Sequence, residues 1–369
     1  MDTIDVLRLL VGFDTNSRNS NLELIDWVAE FLEGQGARLR FTRNDDGAKA
    51  NLLASLGPDR SGGIVLSGHT DVVPVDDQAW QSDPFVLTEC DGRLHGRGAA
   101  DMKGFIAACL AAVPGWAAYG LHRPIHLAFS YDEELGCLGI SRLVQDMTAH
   151  VAPPALAIIG EPTDMRLGDG HRGCLAFETV FEGQAAHSSD PSLGTSAIAP
   201  AADFVRYVLD AIPRVLDQGS GTTVNVGRID GGTALNIVPC RCAVTWEFRP
   251  GDGAAARRIC TAVDDFIAST RGNRVGIASR AIARVPPLPR PDPTAAAMMA
   301  ELGAAGPAVP LPFGTEAGFF QEAGIPAVVC GPGSIDQAHR PDEWIARDQL
   351  AQADAMMQAI GAWVRRKAP

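Results

Sequence analysis

Apolar and polar positions alternate in two different rhythms along the first half of the chain. Short apolar runs predict strands at Gly63–Ser67, Ile125–Tyr131 and Ala155–Gly160, and longer amphipathic or Ala-rich segments predict helices at Leu22–Leu32, Met102–Ala118 and Leu138–Thr148. Strands that alternate with helices are typical of α/β domains, because two parallel strands need a long crossover connection. The pattern therefore predicts a mostly parallel sheet with helices on both faces.

The order of elements changes near His171. The segments that follow predict strands at Leu175–Phe181, Thr222–Ile229, Arg241–Arg249 and Val275–Ala283, and helices at Gly194–Ala211 and Ala254–Thr270. This β-α-β-β-α-β order indicates an inserted ferredoxin-like α+β domain. Beyond the proline-rich segment Pro286–Pro291, two helices and a strand resume at Thr294–Leu302, Ile325–Cys330 and Asp348–Arg366. We expect one α/β domain of residues 1–173 and 284–369, interrupted by a smaller domain of residues 174–283.

Composition and charge limit the classes of molecule that the chain is expected to bind. The chain has 369 residues and a formal net charge of −13, which argues against nucleic acid and anionic membranes as partners. Its acidic start, Met1–Asp5, does not resemble a secretory signal, and no apolar run is long enough to span a bilayer. The eight cysteines are scattered and form no C-x-x-C pair, so reduced thiols and a cytoplasmic location are expected.

Histidines and acids recur where the predicted strands end. His69 and Asp71 follow one strand, Glu133 and Glu134 follow another, and Glu161 follows a third; Asp101 opens a helix, and His339 lies nine residues beyond the last strand. Each has an ordinary alternative: a surface histidine, a helix N-cap for Asp101, or a solvated acidic loop. On an extended backbone Asp71 points the same way as His69 and can orient its imidazole.

The joint pattern is more specific than any single residue. The carboxyl ends of parallel strands meet in one crevice, where α/β proteins bind their ligands. Two histidines and three carboxylates suit two metal ions that share one carboxylate. Imidazole with carboxylate favours zinc, with cobalt or manganese as substitutes.

Five segments carry a family resemblance over nearly the whole chain, from about Leu22 onward. They are Ser67–Pro74, Gly96–Gly104, Asp132–Glu134, Gly160–Thr163 and Ala338–His339. In order and spacing the chain resembles the dinuclear zinc aminoacylases and carboxypeptidases, which include acetylornithine deacetylases and succinyl-diaminopimelate desuccinylases. The resemblance implies a two-zinc amidohydrolase and a cis peptide between Asp101 and Met102.

The resemblance also implies a role for each matching residue. Asp101 corresponds to the bridging ligand, His69 and Glu161 to the ligands of one ion, and Glu134 and His339 to the ligands of the other. Glu133 resembles the general base, which takes a proton from the attacking water and delivers it to the leaving nitrogen. Asp71 resembles the carboxylate that orients the first histidine.

The inserted domain resembles a lid that also forms a homodimer. His187 is similar to the lid histidine that polarises the scissile carbonyl in the partner subunit's site, although a turn residue is the ordinary alternative. Asn236 and Arg249 resemble lid residues that contact substrate. Arg172 is a further candidate, because an arginine fork suits an α-carboxylate, with plain surface charge as the alternative.

The segment Phe313–Ala317 and the stretch around His339 look most like the acetylornithine deacetylase branch, which acts in arginine biosynthesis. We therefore expect hydrolysis of N2-acetyl-L-ornithine to ornithine and acetate, with Gly314, Thr315 and Glu316 at the substrate. Glu316 is the expected partner of the side-chain ammonium. Alternatives are acetylcitrulline, succinyl-diaminopimelate or general N-acyl amino acids, and a family member that binds a ligand without catalysis.

Overall fold

The computed structural model describes residues 1–215, 221–270 and 274–367. The chain divides into two compact units. Unit 1 comprises Met1–Gly170, Arg290–Leu311 and Thr315–Pro369, and unit 2 comprises His171–Pro289 and Pro312–Gly314. Each unit has its own hydrophobic core.

Thirteen strands and ten α-helices lie within the described residues. The strands are β1 (Arg38–Arg43), β2 (Ala50–Leu56), β3 (Ile64–His69), β4 (Thr88–Cys90), β5 (Arg93–His95), β6 (Ile125–Ser130), β7 (Leu156–Pro162), β8 (Cys174–Glu182), β9 (Thr223–Gly231), β10 (Arg241–Arg249), β11 (Gly276–Val285), β12 (Ala327–Gly331) and β13 (Trp344–Ala346). The helices are α1 (Thr3–Val11), α2 (Leu22–Gly34), α3 (Gly104–Ala117), α4 (Ile140–His150), α5 (Ile198–Arg206), α6 (Ile212–Val215), α7 (Gly253–Thr270), α8 (Pro293–Glu301), α9 (Ala317–Glu322) and α10 (Arg347–Val364).

Unit 1 is built on a six-stranded sheet in the order β1-β2-β6-β3-β7-β12. The strands β6, β3, β7 and β12 are parallel, and β1 and β2 extend the sheet by antiparallel pairing. Strands β2, β3, β6, β7 and β12 are buried along their whole length, which explains their continuous apolar runs. The prediction of a mostly parallel sheet is confirmed.

Helices cover both faces of this sheet. On one face α3 packs so closely that a Cβ built at Gly160 would lie 1.9 Å from Cγ of Phe105. On the opposite face the start of α9 brings Glu316 beside Ser67 and Ser130. Neighbouring strand residues point to opposite faces, so Gly160 admits Phe105 on one side while Glu161 points to the other.

Unit 2 has a four-stranded antiparallel sheet in the order β11-β8-β10-β9. Its elements follow one another as β-α-β-β-α-β, with α5, a π turn at Tyr207–Ala211 and α6 forming the first helical segment and α7 the second. This is the predicted ferredoxin-like arrangement. The core between sheet and helices is aromatic: Phe204 lies edge-on to Trp246 at 5.7 Å between ring centroids.

The sequence did not reveal a small third sheet of β13, β5 and β4, whose strands are only three residues long. All eight cysteines are free, and four of them are buried. None of the helices in the described part of the chain combines the length and the apolar character needed to cross a bilayer.

Candidate metal centre

His69 is the last residue of β3, and it is almost fully buried. Its Nδ1 lies 2.8 Å from the backbone carbonyl of Asp71, which fixes Nδ1 as the donor and leaves Nε2 to accept. The carboxylate of Asp71 is farther away, with Oδ1 at 3.7 Å from Nδ1. The residue expected to orient His69 thus does so through its main-chain carbonyl.

The Asp71 carboxylate is engaged elsewhere. It accepts hydrogen bonds from the backbone N–H of Glu133 at 3.1 Å, the backbone N–H of Glu134 at 3.3 Å and the Ser17 hydroxyl at 2.8 Å. These bonds join the loop after β3 to the loop after β6. Both loops carry residues of the predicted metal site.

Asp101 faces two histidines with its two carboxylate oxygens. Oδ1 lies 3.0 Å from Nε2 of His69, and Oδ2 lies 3.5 Å from Nε2 of His339. The helix α3 begins only at Gly104, so Asp101 is not its N-cap. The Asp101–Met102 peptide is cis, as the resemblance implied.

Glu161 and Glu134 complete two groups of candidate ligands. His69, Asp101 and Glu161 form the first group, and Asp101, Glu134 and His339 form the second; within each group the ligand atoms lie within 4.8 Å of one another. Glu161 Oε1 is 3.9 Å from Nε2 of His69, and Glu134 Oε2 is 3.0 Å from Nε2 of His339. The structure therefore brings together all five residues that the sequence analysis singled out as ligands.

The electrostatics of the cluster favour a bound cation. Burial and neighbouring carboxylates raise the pKa of Glu133, Glu134 and Glu161 above the usual range. Burial lowers the pKa of His69, but Asp101 and Glu161 raise it to a value well above the ordinary one. Hydrogen bonds to Asp101 and Glu134 raise the pKa of His339 to about 10. A site that binds protons this strongly carries excess negative charge, which a divalent cation neutralises.

The donor set fits two transition-metal ions. Each group offers one imidazole nitrogen and two carboxylates, and Asp101 belongs to both. Mixed nitrogen and oxygen donors of this kind suit zinc, cobalt or manganese better than magnesium or calcium, which prefer oxygen alone.

Glu133 lies beside the two groups without belonging to either. The Cys137 thiol donates to its Oε1 at 3.4 Å, and burial raises the pKa of that thiol, so it remains a donor. This contact could not be predicted from the sequence, although Cys137 lies only four residues from Glu133, because a thiol in a loop carries no spacing signal.

The predicted lid residues lie in unit 2, in two pairs of neighbouring segments. His187 pairs with Ile237 in an isolated bridge, and the carbonyl of Asn236 accepts the Ser188 N–H at 3.0 Å. Arg172 is exposed and donates to the carbonyl of Gly221 at 3.0 Å. Arg249 contacts Glu247 at 3.4 Å, and Gly173 binds Pro250 through the backbone. These backbone contacts place the segment that carries His187 beside the segment that carries Asn236, and the segment that carries Arg172 beside the segment that carries Arg249.

The three residues expected at the substrate differ in exposure. Gly314 belongs to unit 2 and is half-buried, whereas Thr315 and Glu316 belong to unit 1 and are 0% and 1% exposed. Burial raises the pKa of Glu316 to about 7. The Glu316 side chain has little exposed surface, and its contact with a substrate ammonium stays a prediction.

Three further residues surround the centre: Gln78, Arg97 and Glu343. Arg97 lies in the segment Gly96–Gly104 that carried the resemblance, and Glu343 follows His339 by four residues, yet their pairing at 2.8 Å spans 246 residues of sequence. No local pattern indicates such a contact, so the sequence analysis assigned them no role.

A comparison with protein families matches residues 65–361 to the description "Peptidase family M20/M25/M40". Solved structures with a similar fold cover nearly the whole chain. An M20 family metallo-carboxypeptidase from Sulfolobus solfataricus is 19% identical, with a TM-score of 0.74 and coverage of 99% of this chain and 100% of the other. The aminopeptidase PepT from Bacillus cereus is 20% identical, with a TM-score of 0.73 and coverage of 99% and 98%.

The YxeP protein of Bacillus subtilis, reported as a dinuclear metal binding peptidase from the M20 family, is also similar. It is 17% identical, with a TM-score of 0.66 and coverage of 99% of this chain and 98% of that one. At these identities the structures establish the shared fold, and the family match spans most of the sequence. The chain belongs to peptidase family M20/M25/M40.

Proposed function

We propose that the chain is a metal-dependent amidohydrolase that converts N2-acetyl-L-ornithine and water to L-ornithine and acetate. The observation that carries this proposal is Asp101, whose two oxygens face His69 at 3.0 Å and His339 at 3.5 Å. A carboxylate shared in this way is what two adjacent ions require. When bound, two zinc ions polarise the scissile carbonyl and activate water, and cobalt or manganese are possible substitutes.

Five side chains are proposed to hold the ions: His69, Asp101 and Glu161 for one, and Asp101, Glu134 and His339 for the other. The Nδ1 contact of His69 supports this role, because it leaves Nε2 as the only ring nitrogen free to ligate. The Asp71 bonds to the Glu133 and Glu134 backbone support a fixed position for the loop after β6.

Glu133 is proposed as the general base. Its carboxylate takes one proton from the attacking water as the C–O bond forms. It then delivers that proton to the nitrogen as the C–N bond breaks. The bond from Cys137 to Oε1 supports this role, because it occupies one oxygen and leaves Oε2 to accept the proton. The raised pKa of Glu133 also suits a group that must hold a proton briefly.

The lid residues are proposed to bind the substrate. Arg249 and Arg172 offer guanidinium groups to the α-carboxylate, Asn236 offers an amide, and His187 polarises the carbonyl in the site of a second copy. The exposure of His187, Arg172 and Asn236 is compatible with these roles. Their assignment stays a prediction from the resemblance.

Preference for acetylornithine rests on the similarity around Phe313–Ala317 and on the acidic character of the chain, whose net charge is −13. Acetylornithine has one carboxylate and one ammonium group and is net neutral, so an acidic protein repels it less than it repels an anionic N-acyl amino acid such as acetylmethionine. The burial of Glu316 weakens its case as the direct partner of that group. Other N-acyl amino acids stay open as substrates of the same chemistry.

A homodimer formed through the inserted domain is part of the proposal. Unit 2 exposes apolar side chains along its edge strand β9 and the following loop, with Ile229 51% exposed and Leu235 fully exposed. Exposed apolar side chains on one edge strand and its loop are compatible with a protein interface. Light scattering tests the dimer: Ile229→Lys with Leu235→Lys should shift the protein to monomers.

A cytoplasmic location also stays a prediction, supported by the free cysteines.

The deciding experiment measures hydrolysis rates on acetylornithine, acetylcitrulline, succinyl-diaminopimelate and acetylmethionine. The protein is stripped of metal and then supplied with zinc or cobalt. We expect activity that depends on added metal and is highest on acetylornithine. Metal-dependent activity that is highest on another substrate would change the proposed substrate and leave the proposed mechanism unchanged. Bound metal without any hydrolysis would favour a ligand-binding protein instead.

A further inference from the structure

Glu343 is a buried carboxylate that binds the backbone beside a candidate ligand. It is 1% exposed and directly precedes β13. Its Oε1 accepts the N–H groups of Ala100 at 2.9 Å and Asp101 at 3.0 Å, and its Oε2 accepts the N–H of Gly98 at 2.9 Å. Three backbone N–H groups that donate to one carboxylate thus define the path of the chain into Asp101.

Arg97 neutralises this carboxylate. Its Nη1 donates to Glu343 Oε2 at 2.8 Å, and its guanidinium lies 5.0 Å from the ring centroid of Trp80. Arg97 is also 1% exposed. A buried carboxylate is stable only when it is paired and hydrogen-bonded, and here both conditions are met.

The same network reaches the backbone of His339. Arg97 Nη1 also donates to the carbonyl of Arg340 at 3.3 Å, and Nη2 donates to Oε1 of Gln78. Gln78 Nε2 in turn donates to the carbonyl of His339 at 3.2 Å. His339 has a φ of 63°, a left-handed conformation that is unfavourable for a side-chain-bearing residue, so outside contacts must hold it.

We propose that Glu343, Arg97 and Gln78 are positioning residues of the metal centre, which set Asp101 and His339 in the geometry that binds two ions. The inference rests on the proposed metal centre. None of the three residues is a proposed ligand. Glu343 and Gln78 bind the backbone of a ligand residue. Arg97 binds the side chains of Glu343 and Gln78.

The two ends of the network have different consequences. Glu343 binds the backbone of Asp101, which belongs to both ligand groups. Gln78 binds the backbone of His339, which belongs to one group only. Loss of the Glu343 carboxylate should therefore weaken both ions, whereas loss of the Gln78 amide should weaken one ion and leave the other.

Zinc titration of the metal-free full chain tests this difference without any enzymatic assay. The two dissociation constants are measured by calorimetry and by competition with a chelator for the wild type, Glu343→Gln and Gln78→Leu. Removal of a group that orients metal ligands typically weakens binding by about 10-fold to 100-fold. We expect that loss at both ions for Glu343→Gln, and at one ion only for Gln78→Leu.

Glu89→Gln is the matched control. It removes a carboxylate from β4 and breaks the exposed pair with Arg347, whose atoms are 2.6 Å apart. Its zinc constants should equal those of the wild type. Circular dichroism of each metal-free variant reports whether the fold is retained. If Glu343→Gln does not fold, Gln78→Leu decides alone, because Gln78 is only half-buried.

The outcomes separate the inference from the function on which it rests. A wild type that binds no zinc would overturn the proposed metal centre and the inference with it. A wild type that binds two ions, with folded variants of unchanged affinity, would overturn the inference alone. Equal weakening of both ions by Gln78→Leu would also contradict it.

Discussion

The carboxylate of Asp71 accepts the backbone N–H of Glu133 at 3.1 Å, across 62 residues of chain. Its second oxygen accepts the N–H of Glu134 at 3.3 Å. The residue beside the first histidine therefore holds the peptide units that carry the proposed base and a proposed ligand. Its carbonyl contacts His69 at the same time, so one aspartate links three functional side chains.

Asp71→Asn should reduce kcat more than it raises KM. An amide presents one acceptor oxygen, so one of the two backbone N–H groups loses its partner and the loop after β6 shifts. Support residues of metal sites typically contribute about 10-fold to 100-fold to activity, and we expect a loss of kcat in that range. Steady-state kinetics with saturating zinc measures it.

Ser17→Ala is the control for this substitution. It removes the Ser17 hydroxyl at 2.8 Å from the Asp71 carboxylate and keeps both backbone bonds. A hydrogen bond to a carboxylate contributes about 1.5–3 kcal/mol to stability, but this one does not hold the backbone of Glu133 or Glu134, so the loss of kcat should stay below about tenfold. Equal losses in the two variants would contradict the role given to the Asp71 carboxylate.

Gly160→Ala should destabilise the protein. Its Cβ would lie 1.9 Å from Cγ of Phe105, which fills the space above β7. Overpacking of this kind typically lowers the free energy of unfolding by about 1–3 kcal/mol. Urea unfolding followed by fluorescence measures the change. Gly115→Ala is the control, because nothing lies within 4 Å of a Cβ there and alanine favours the helix α3. If Gly115→Ala lowered the free energy of unfolding as much as Gly160→Ala, the packing argument would be contradicted.

Sheet topology made it possible to predict from the sequence that the candidate ligand side chains lie close together. His69, Glu134 and Glu161 each come at or just after the end of a parallel strand, and such strand ends meet at one edge. The buried strands β3, β6 and β7 were recognisable as apolar runs. The short strands β4, β5 and β13 were not, because three residues carry no periodicity.

Contacts between distant segments could not be predicted. Glu343 lies 242 residues from Asp101, and Asp71 lies 62 residues from Glu133. Acids in loops are usually solvated, so nothing in the local sequence distinguishes a buried carboxylate that binds backbone N–H groups. Glu316 illustrates the converse: similarity indicated a substrate contact, and its burial depends on packing of α9 against strands far away in sequence.

Glu316→Gln tests whether Glu316 contacts the substrate. The side chain is 1% exposed and lies beside Ser67 and Ser130, so we expect it to act through these strand ends. Glutamine has the shape of the protonated carboxyl that burial favours, and the fold should be retained. We expect kcat/KM to fall by the same factor, about 2-fold to 10-fold, on acetylornithine and on acetylmethionine. A larger loss on acetylornithine would support direct contact with its ammonium group.

His126 should make stability depend on pH. It is 2% exposed and contacts Ser55 at 2.8 Å. Burial and, to a smaller extent, Arg38 lower its pKa to about 4 against the opposing effect of Asp59. In the unfolded chain the His126 imidazole takes up a proton near pH 6.5, whereas in the folded chain it does not. The free energy of unfolding is therefore at its maximum above that pH. It should decline by about 3 kcal/mol between pH 6.5 and 4. Across this range the urea midpoint should depend less on pH in His126→Asn than in the wild type, whereas the exposed control His122→Asn should behave like the wild type. An equal pH dependence in the two variants would refute the assignment.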